Sequence, residues 1–337
     1  MSQTQHTVAG HPHRCKHVMR GLVLSCLALL HPLLWAQNSY PTKPIKWIVP
    51  FATGGSADLI ARLVAERMAQ GLGQAVVIDN RGGNGSVLGT DVAAKSPADG
   101  YTWLLSNGAA ITTGPLMGQI TAYKPMEDFI HVQLIGSFAN ALIVRQDHPA
   151  KTLGEFLTMA RDNPDKFSYG SAGLGSAGHL SGELLKQLAK IQMVHIPYKG
   201  SGPAFNDLLG GQTDAMFNAL ISSAPHIRST RVRALAISGA VRDPEFSQVP
   251  TMAETISGAV GEAWFGLSVP AKTPAAVVER IRSEAARVLN SPDIKTKLLE
   301  LGVRPMNLGP KEFQIFLNQE VTKWGPVIRQ AHIKAEP

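Results

Sequence analysis

Two glycine- and hydroxyl-rich turns carry the chemistry this sequence offers. Thr53-Gly54-Gly55-Ser56 follows the apolar run Ile45-Lys46-Trp47-Ile48-Val49-Pro50-Phe51 and opens at once into an amphipathic pattern. A buried strand feeding a helix through such a turn leaves the first amide hydrogens of the helix without intrahelical partners, aimed at whatever occupies the turn. Gly54 and Gly55 let a ligand approach the backbone, and Thr53 and Ser56 add hydroxyls, with Ser56 also placed to cap the helix. Asp58, in the first helical turn, reads as a structural complement to the helix dipole. The device recurs where Phe167-Ser168-Tyr169-Gly170-Ser171 leads through Ala172-Gly173-Leu174-Gly175-Ser176-Ala177-Gly178 into a helix beginning near His179. Facing each other, two such cradles of neutral donors would hold one small acid. A strand-to-helix turn that binds nothing explains the first motif, taken alone, equally well.

Other chemistries fit less well. Gly173, Gly175 and Gly178 form a G-x-G-x-x-G after a strand, but the following strand ends Ile196-Pro197-Tyr198-Lys199 without the acidic residue that would take a ribose hydroxyl. Lys199 is either a solvated loop charge or an anion-steering group. Ser176 lacks a nucleophile elbow, because Leu174 stands where the first glycine belongs, and His179 reads as a packing residue rather than a base. His131, His148, His179, His195, His226 and His332 show no metal-ligand spacing, so neither metal, cofactor nor catalytic constellation is expected. Phe51, Tyr198, Trp264 and Phe265 stand near strand ends, where aromatics either wall a cleft or belong to the core.

These turns need a framework of alternating strands and helices. After the first unit, whose helix places Leu59, Ile60, Leu63, Val64 and Met68 on one side, come a strand at Ala75–Ile78 and the turn Arg81-Gly82-Gly83-Asn84-Gly85. A helix at Val87–Ala94 and a strand at Thr102–Leu105 ending in Ser106-Asn107-Gly108 complete a βαβαβ series, the signature of a parallel sheet. The second half repeats the rhythm, with helices at Thr152–Arg161 and around Leu180, Leu184 and Leu188. Its strands fall at Phe167–Ser171, Met193–Pro197, Asp214–Phe217 and Arg233–Ser238, with a helix at Pro203–Leu209 begun by proline. Ala141–Arg145 and Phe265–Val269 read as connectors out of the first lobe and back, and Thr273 as the cap of a helix docking through Val277, Val278, Ile281 and Val288. The result is an α/β protein of two lobes, residues 37–140 plus 268–337 and residues 141–267, with two hinge crossings and a ligand cleft between.

Residues 1–36 read as a secretory signal peptide: Arg14, Lys16 and Arg20 precede the uncharged run Gly21–Trp35, which is too short and too interrupted by His31 and Pro32 to span a bilayer. A lipidated start at Cys26 is the weaker alternative, and Leu34 fits the cleavage rule poorly. Both cysteines, Cys15 and Cys26, fall in this leader, so the exported chain has neither disulfide nor thiol chemistry. The roughly 300 residues left exceed what one core usually holds. The net charge of +7 falls to about +4 without the leader, which suits small anions as well as an ordinary solvated surface. No basic stripe interleaved with aromatics suggests nucleic acid.

Motifs in order along nearly all of the exported chain resemble the Bug family of extracytoplasmic solute-binding receptors, the soluble components of tripartite tricarboxylate transporters. They are Tyr40-Pro41-Thr42-Lys43-Pro44-Ile45, Val49-Pro50-Phe51 with Gly54-Gly55-Ser56 and Asp58, Ser96-Pro97-Ala98-Asp99-Gly100-Tyr101-Thr102, Tyr169-Gly170-Ser171-Ala172-Gly173, His195-Ile196-Pro197-Tyr198-Lys199-Gly200 and Leu208-Leu209-Gly210-Gly211-Gln212. The resemblance implies a periplasmic-binding-protein fold of type II that closes over a small carboxylate in the periplasm, acts as a monomer and delivers its ligand to membrane permease subunits. It puts ligand contacts on Phe51, Ala52, Thr53, Gly54, Gly55 and Ser56, on Ser106, Asn107 and Gly108, on Ser171, Ala172, Gly173, Ser176 and His179, and on Phe217 and Asn218; Tyr198 joins them as a wall residue from its place near a strand end. The chain departs from the family pattern at Asn218-Ala219, where Asp-Asn is usual, and at Thr53, where proline is common. Loss of an acidic side chain there puts the usual amino-acid or dicarboxylate specificity in doubt. A sensor presenting its bound state to a receptor kinase, and a periplasmic hydrolase, are the competing expectations.

Overall fold

The computed structural model describes residues 1–5, 7, 40–118, 122–164, 166–198 and 200–334. The leader reading, with both cysteines, lies outside them apart from the first few residues, as does Lys199.

Strand and helix alternate from the start: β1 (Ile45–Val49), α1 (Ser56–Leu72), β2 (Val76–Asn80), α2 (Val87–Ala94) and β3 (Thr102–Asn107). A π-helical turn at Ala109–Thr113 enters α3 (Gly114–Leu116), and β4 (Phe129–Phe138) runs almost directly into β5 (Asn140–Arg145). Next come α4 (Leu153–Asp162), β6 (Ser168–Ser171), α5 (Ala177–Ala189), β7 (Val194–Pro197), α6 (Ser201–Leu209), β8 (Ala215–Ala219), α7 (Leu220–Arg228), β9 (Val232–Ile237) and α8 (Met252–Thr255). The last elements are β10 (Ala263–Pro270), α9 (Ala275–Asn290), α10 (Pro292–Glu300), β11 (Val303–Leu308) and α11 (Pro310–Gln330). No helix among the described residues is long and apolar enough to cross a membrane.

Two sheets result. The six-stranded sheet has the order β11-β4-β10-β3-β1-β2 and the five-stranded sheet the order β7-β6-β8-β5-β9. β1 pairs parallel with β2 and β3, and β6 parallel with β7 and β8, as their helical crossovers require. β10 lies antiparallel between β3 and β4, and β5 antiparallel between β8 and β9. The segments expected as connectors are therefore strands: Ala141–Arg145 belongs to β5 and Phe265–Val269 to β10, both in sheet interiors. A central strand buried on both faces reads as an unbroken apolar run, and so does an apolar connector. The chain changes sheets at Ala139 and again at Gly261–Glu262. There Ser238 Oγ, Ser181 Oγ and Asn140 Nδ2 donate to the Gly261 carbonyl at 2.8, 3.2 and 3.3 Å, tying the two crossings together.

Several local expectations shift. The cap of α1 is Gly55, without a side-chain bond, so Ser56 is the first helical residue rather than the cap. α6 starts at Ser201, which makes Pro203 its third residue, and Pro274 rather than Thr273 precedes α9, since the Thr273 hydroxyl donates to the Pro270 carbonyl at 2.7 Å. β4 and β11 were not read from the sequence. β4 carries His131, Gln133 and Ser137 among its apolar residues, and these break the pattern although all three are buried.

The six-stranded sheet packs Ile48, Leu104, Leu134 and Trp264 against Phe313 and Leu317 of α11. On the second sheet, Leu142, Tyr169, Leu185 and Phe217 pack with α4 and α5, while Ile143, Phe205, Leu208 and Met216 fill the other face. The far half of α11 leaves the first core: Trp324, Val327 and Ile328 join Met117 and, from α5, Leu180 and Leu184. Gln187 Nε2 of α5 donates to the Val327 carbonyl at 2.8 Å. Pro326 stands within this stretch of α11 and cannot donate the usual helical bond.

Candidate functional site

The carboxyl ends of the parallel strands gather at the crossings. Asn107, the last residue of β3, pairs with Phe265, two residues into the strand whose first residue, Ala263, pairs with Phe138 beside the first crossing. In the other sheet Ala219, the last residue of β8, pairs with Asn140. Ligands of open α/β sheets bind outside such strand ends.

The first cradle leaves β1 exposed. Ala52, Thr53, Gly54 and Gly55 are open to solvent and Phe51 and Ser56 half-buried. Gly54 takes φ +84°, a conformation that favours glycine. Its N–H is already used, donating to Asp58 Oδ2 at 3.0 Å, while Arg62 pairs with the same carboxylate at 2.9 Å. Burial works against the Asp58 charge, but the Arg62, Gly54 and Asn80 contacts outweigh it and hold the group below its ordinary range. Asp58 is thus the buried brace of the turn, and its negative charge is compensated within the turn. Asn80 Nδ2 donates to the Phe51 carbonyl at 3.1 Å. The glycine turn after β2 packs close behind, since a Cβ at Gly82 would lie 3.2 Å from the Ala52 nitrogen.

Asn107 and Phe265 share one face of the sheet, where the Phe265 ring meets Phe51 edge-on at 6.0 Å and Phe138 at 5.0 Å. Asn107 is 4% exposed. Its Oδ1 accepts from the Ala110 N–H at 3.2 Å and the Ser86 hydroxyl at 3.1 Å, whereas its Nδ2 has no hydrogen-bond partner. Ser106 belongs to the opposite face, in a buried chain: Ser268 Oγ donates to Ser106 Oγ at 2.9 Å, and His131 Nδ1 meets Ser268 Oγ at 2.9 Å. Trp264 also faces that side, packed edge-on to Phe313 and Phe316. Gly108 starts the π-helical turn, and its carbonyl accepts from Thr112 and Thr113.

The second cradle is held from beneath. Ser176 caps α5 by accepting from the His179 N–H at 3.3 Å, and His179 Nδ1 accepts from the Gly175 N–H at 3.0 Å. Ser171 Oγ lies 2.7 Å from His195 Nε2, accepts from the Gly173 N–H at 3.2 Å and receives Ser176 Oγ at 3.3 Å. The His179 and His195 rings stack with centroids 3.8 Å apart, and Tyr169 closes the other side of His195 at 4.9 Å. Burial, aided by the Lys186 charge, pulls His179 down to about 4; burial, His179 and Lys186 pull His195 down to about 3. Both imidazoles are therefore neutral at neutral pH, and Ser171, which makes the base-like contact with the half-buried His195, is itself fully buried. Gly173, at φ +133°, turns the loop against the Tyr198 carbonyl. Ala172 is half-buried beside it.

The remaining predicted residues are engaged elsewhere. Phe217 is a core ring against Tyr169 at 5.7 Å. Asn218 Oδ1 accepts from Ser201 Oγ at 2.7 Å and its Nδ2 donates to Ser223 Oγ at 3.1 Å, so its amide ties α6 to α7. The Tyr198 hydroxyl donates to Asp207 at 2.8 Å, and burial together with Asp207 raises it to about 12. Ser86 and Asn80 escaped the sequence reading, and His195, read only for metal spacing and as part of a family motif, was not placed at the second turn. A glycine turn followed by serine was the only signal, and it gave no hint that the serine would reach Asn107. A cavity of about 310 Å³ is lined by Ile111, Pro115, Leu116, Tyr123 and Val321, none of them among the predicted site residues.

Two α/β sheets joined by tied crossings, with strand-to-helix turns of both gathered there, are the architecture of a two-lobed solute-binding protein. Residues 60–333 match the model described as the tripartite tricarboxylate transporter family receptor, TctC, and the chain belongs to that family. It is 34% identical over 316 residues to protein BugT of Bordetella pertussis, covering 93% of this chain and 96% of that one. Among solved structures it is similar to R. palustris Rpa4515 with adipate, at 34% identity, TM-score 0.83 and coverage of 88% and 99%. It is also similar to MatC (Rpa3494) from Rhodopseudomonas palustris with bound malate, at 31% identity, TM-score 0.77 and coverage of 86% and 100%.

Proposed function

We propose that this protein is a periplasmic, non-catalytic receptor that captures a small organic acid and delivers it to the permease subunits of a tripartite transporter. The observation that carries the reading is the Asn107 amide, a buried Nδ2 without a partner at the strand ends beside Phe51 and Phe265. A buried donor left unsatisfied is costly, and a carboxylate oxygen would offset that cost with a charge-assisted hydrogen bond. The solvent-open turn at Thr53 and Gly55 adds backbone amides on one side, while on the other the N–H groups of Gly173, Gly175, Ser176 and His179 are spent within their own loop, which holds that wall of the site rigid. Adipate and malate in related structures support the ligand class. Amides and hydroxyls hold an anion without a buried countercharge because the helix ends favour negative charge.

The two sheets form the cores of lobes that close about Ala139 and Gly261–Glu262. Closure follows only if the acid favours the closed form, which contacts from both lobes would provide. Asn218 offers no carboxylate for a ligand ammonium, and Asp58 is spent on Gly54 and Arg62. Acids without an amino group therefore fit best. Calorimetry of the exported chain, freed of co-purified ligand, against mono-, di- and tricarboxylates including adipate and malate tests the reading. Saturable heat with an acid supports it, and silence across the panel refutes it.

A further inference from the structure

We infer that Ser86 is a positioning residue that holds the Asn107 amide with its donor end free for the ligand; this rests on the receptor reading above. Asn107 Oδ1 accepts from the Ala110 backbone N–H, which can only donate, so the orientation of the amide is fixed: oxygen toward Ala110 and Ser86, nitrogen away from both. A single backbone bond would leave the amide free to swing about its last torsion. The Ser86 hydroxyl, 3% exposed, supplies the second anchor by giving its one proton to Asn107 Oδ1, with the neighbouring Gly85 carbonyl the competing acceptor.

Ser86 accepts an unusual backbone to stand there. Its φ is +75°, in the left-handed region that side chains other than glycine seldom occupy, and it follows Gly85 at +58°. Thr90 Oγ1 donates to its carbonyl at 2.8 Å and holds this conformation from α2. Glycine would satisfy the turn without strain, so a serine here is explained by its hydroxyl rather than by its backbone. A stray polar contact would leave some other group on Asn107 Nδ2, whereas that nitrogen has none.

The test is a double-mutant cycle on the exported chain, with adipate and malate as the probes and calorimetry as the readout. Ser86→Ala weakens the acid by about tenfold, and Asn107→Ala by about ten- to a hundredfold. The double variant is no weaker than Asn107→Ala alone, because Ser86 acts only through that amide. Ser86→Gly loses affinity as Ser86→Ala does while its melting temperature holds or rises, a split that a purely structural role does not produce. Additive losses in the double variant, or wild-type affinity in Ser86→Gly, overturn the inference. If wild-type protein binds neither acid, the receptor reading has lost its probes, and the positioning role is read without ligand from 15N relaxation of the Asn107 side-chain amide. Its order parameter falls in Ser86→Ala; an unchanged value overturns the positioning role independently.

Discussion

Helix α5 begins so close to β8 that one methyl group decides its position. A Cβ at Gly178 would lie 2.3 Å from the Phe217 carbonyl oxygen and 3.1 Å from its carbon, whereas ordinary contact begins at 3.4 Å. The obstacle is backbone in a central strand, so Gly178→Ala must push the start of α5 back by about 1 Å. Helix propensity works the other way, since exchanging glycine for alanine inside a helix gains about 0.5–1 kcal/mol. Overpacking costs about 1–3 kcal/mol, so the net change is a loss of up to about 2.5 kcal/mol. Gly154 in α4 is the control: its nearest neighbour would be Thr152 Oγ1 at 3.9 Å, and alanine there stabilises by up to about 1 kcal/mol. Urea denaturation of the two variants and wild type measures both signs. The displaced helix start also moves Ser176 and the Gly175–His179 bond, so acid affinity falls about tenfold, as expected for one hydrogen bond spoiled. If Gly178→Ala is as stabilising as Gly154→Ala, the close helix–strand approach is wrong and the second cradle is not built as described.

The other predictions concern groups buried beneath the turns. Burial pulls His131 down to about 4 against an ordinary 6.5, so the unfolded chain binds the extra proton between these values and the folded state loses stability as pH falls through that window, by about 3 kcal/mol in all. The stability difference between wild type and His131→Leu should shrink by that amount from pH 6.5 to 4, and a constant difference would falsify the assignment. Asp58→Ala removes the acceptor of the Gly54 N–H and the partner of Arg62, at a cost of about 1–3 kcal/mol. Because the folded carboxyl titrates below its ordinary 3.8, this advantage of the wild type holds above that pH and fades beneath it; an advantage persisting at pH 2 counts against the brace. Trp324→Ala empties the contact of α11 with α5, which should cost about 3–5 kcal/mol by thermal denaturation. A loss below about 1 kcal/mol would mean that the far half of α11 is peripheral.

The alternation of β1 through β3 and of β6 through β8 was legible because each apolar run is bounded by glycine or proline and followed by a helical period. β10 was legible as apolar but not as central, since burial on two faces and an apolar connection leave the same trace in the chain. β4 was hidden by His131, Gln133 and Ser137, whose side-chain partners Ser268, Asn307 and Arg304 lie more than a hundred residues away. Local pattern carries no record of such pairings. The same reason explains the site. The turns announced themselves through Gly54, Gly55 and Gly173, but the groups that set their geometry reach in from outside each motif: Ser86 to Asn107, His195 to Ser171 and Asn80 to Phe51. Ser106 and Asn107 are neighbours in sequence, and the two-residue period of a strand sends them to opposite faces.

Helix α11 closes two hydrophobic interiors with one element, Phe313 and Leu317 filling one and Trp324, Val327 and Ile328 the other. A chain growing on the ribosome therefore cannot complete either interior until residues near 330 have been added, however early its first strands could pair. The five-stranded sheet, whose two faces are filled by residues between 139 and 259, can finish first, while the six-stranded sheet keeps one apolar face uncovered until α11 arrives.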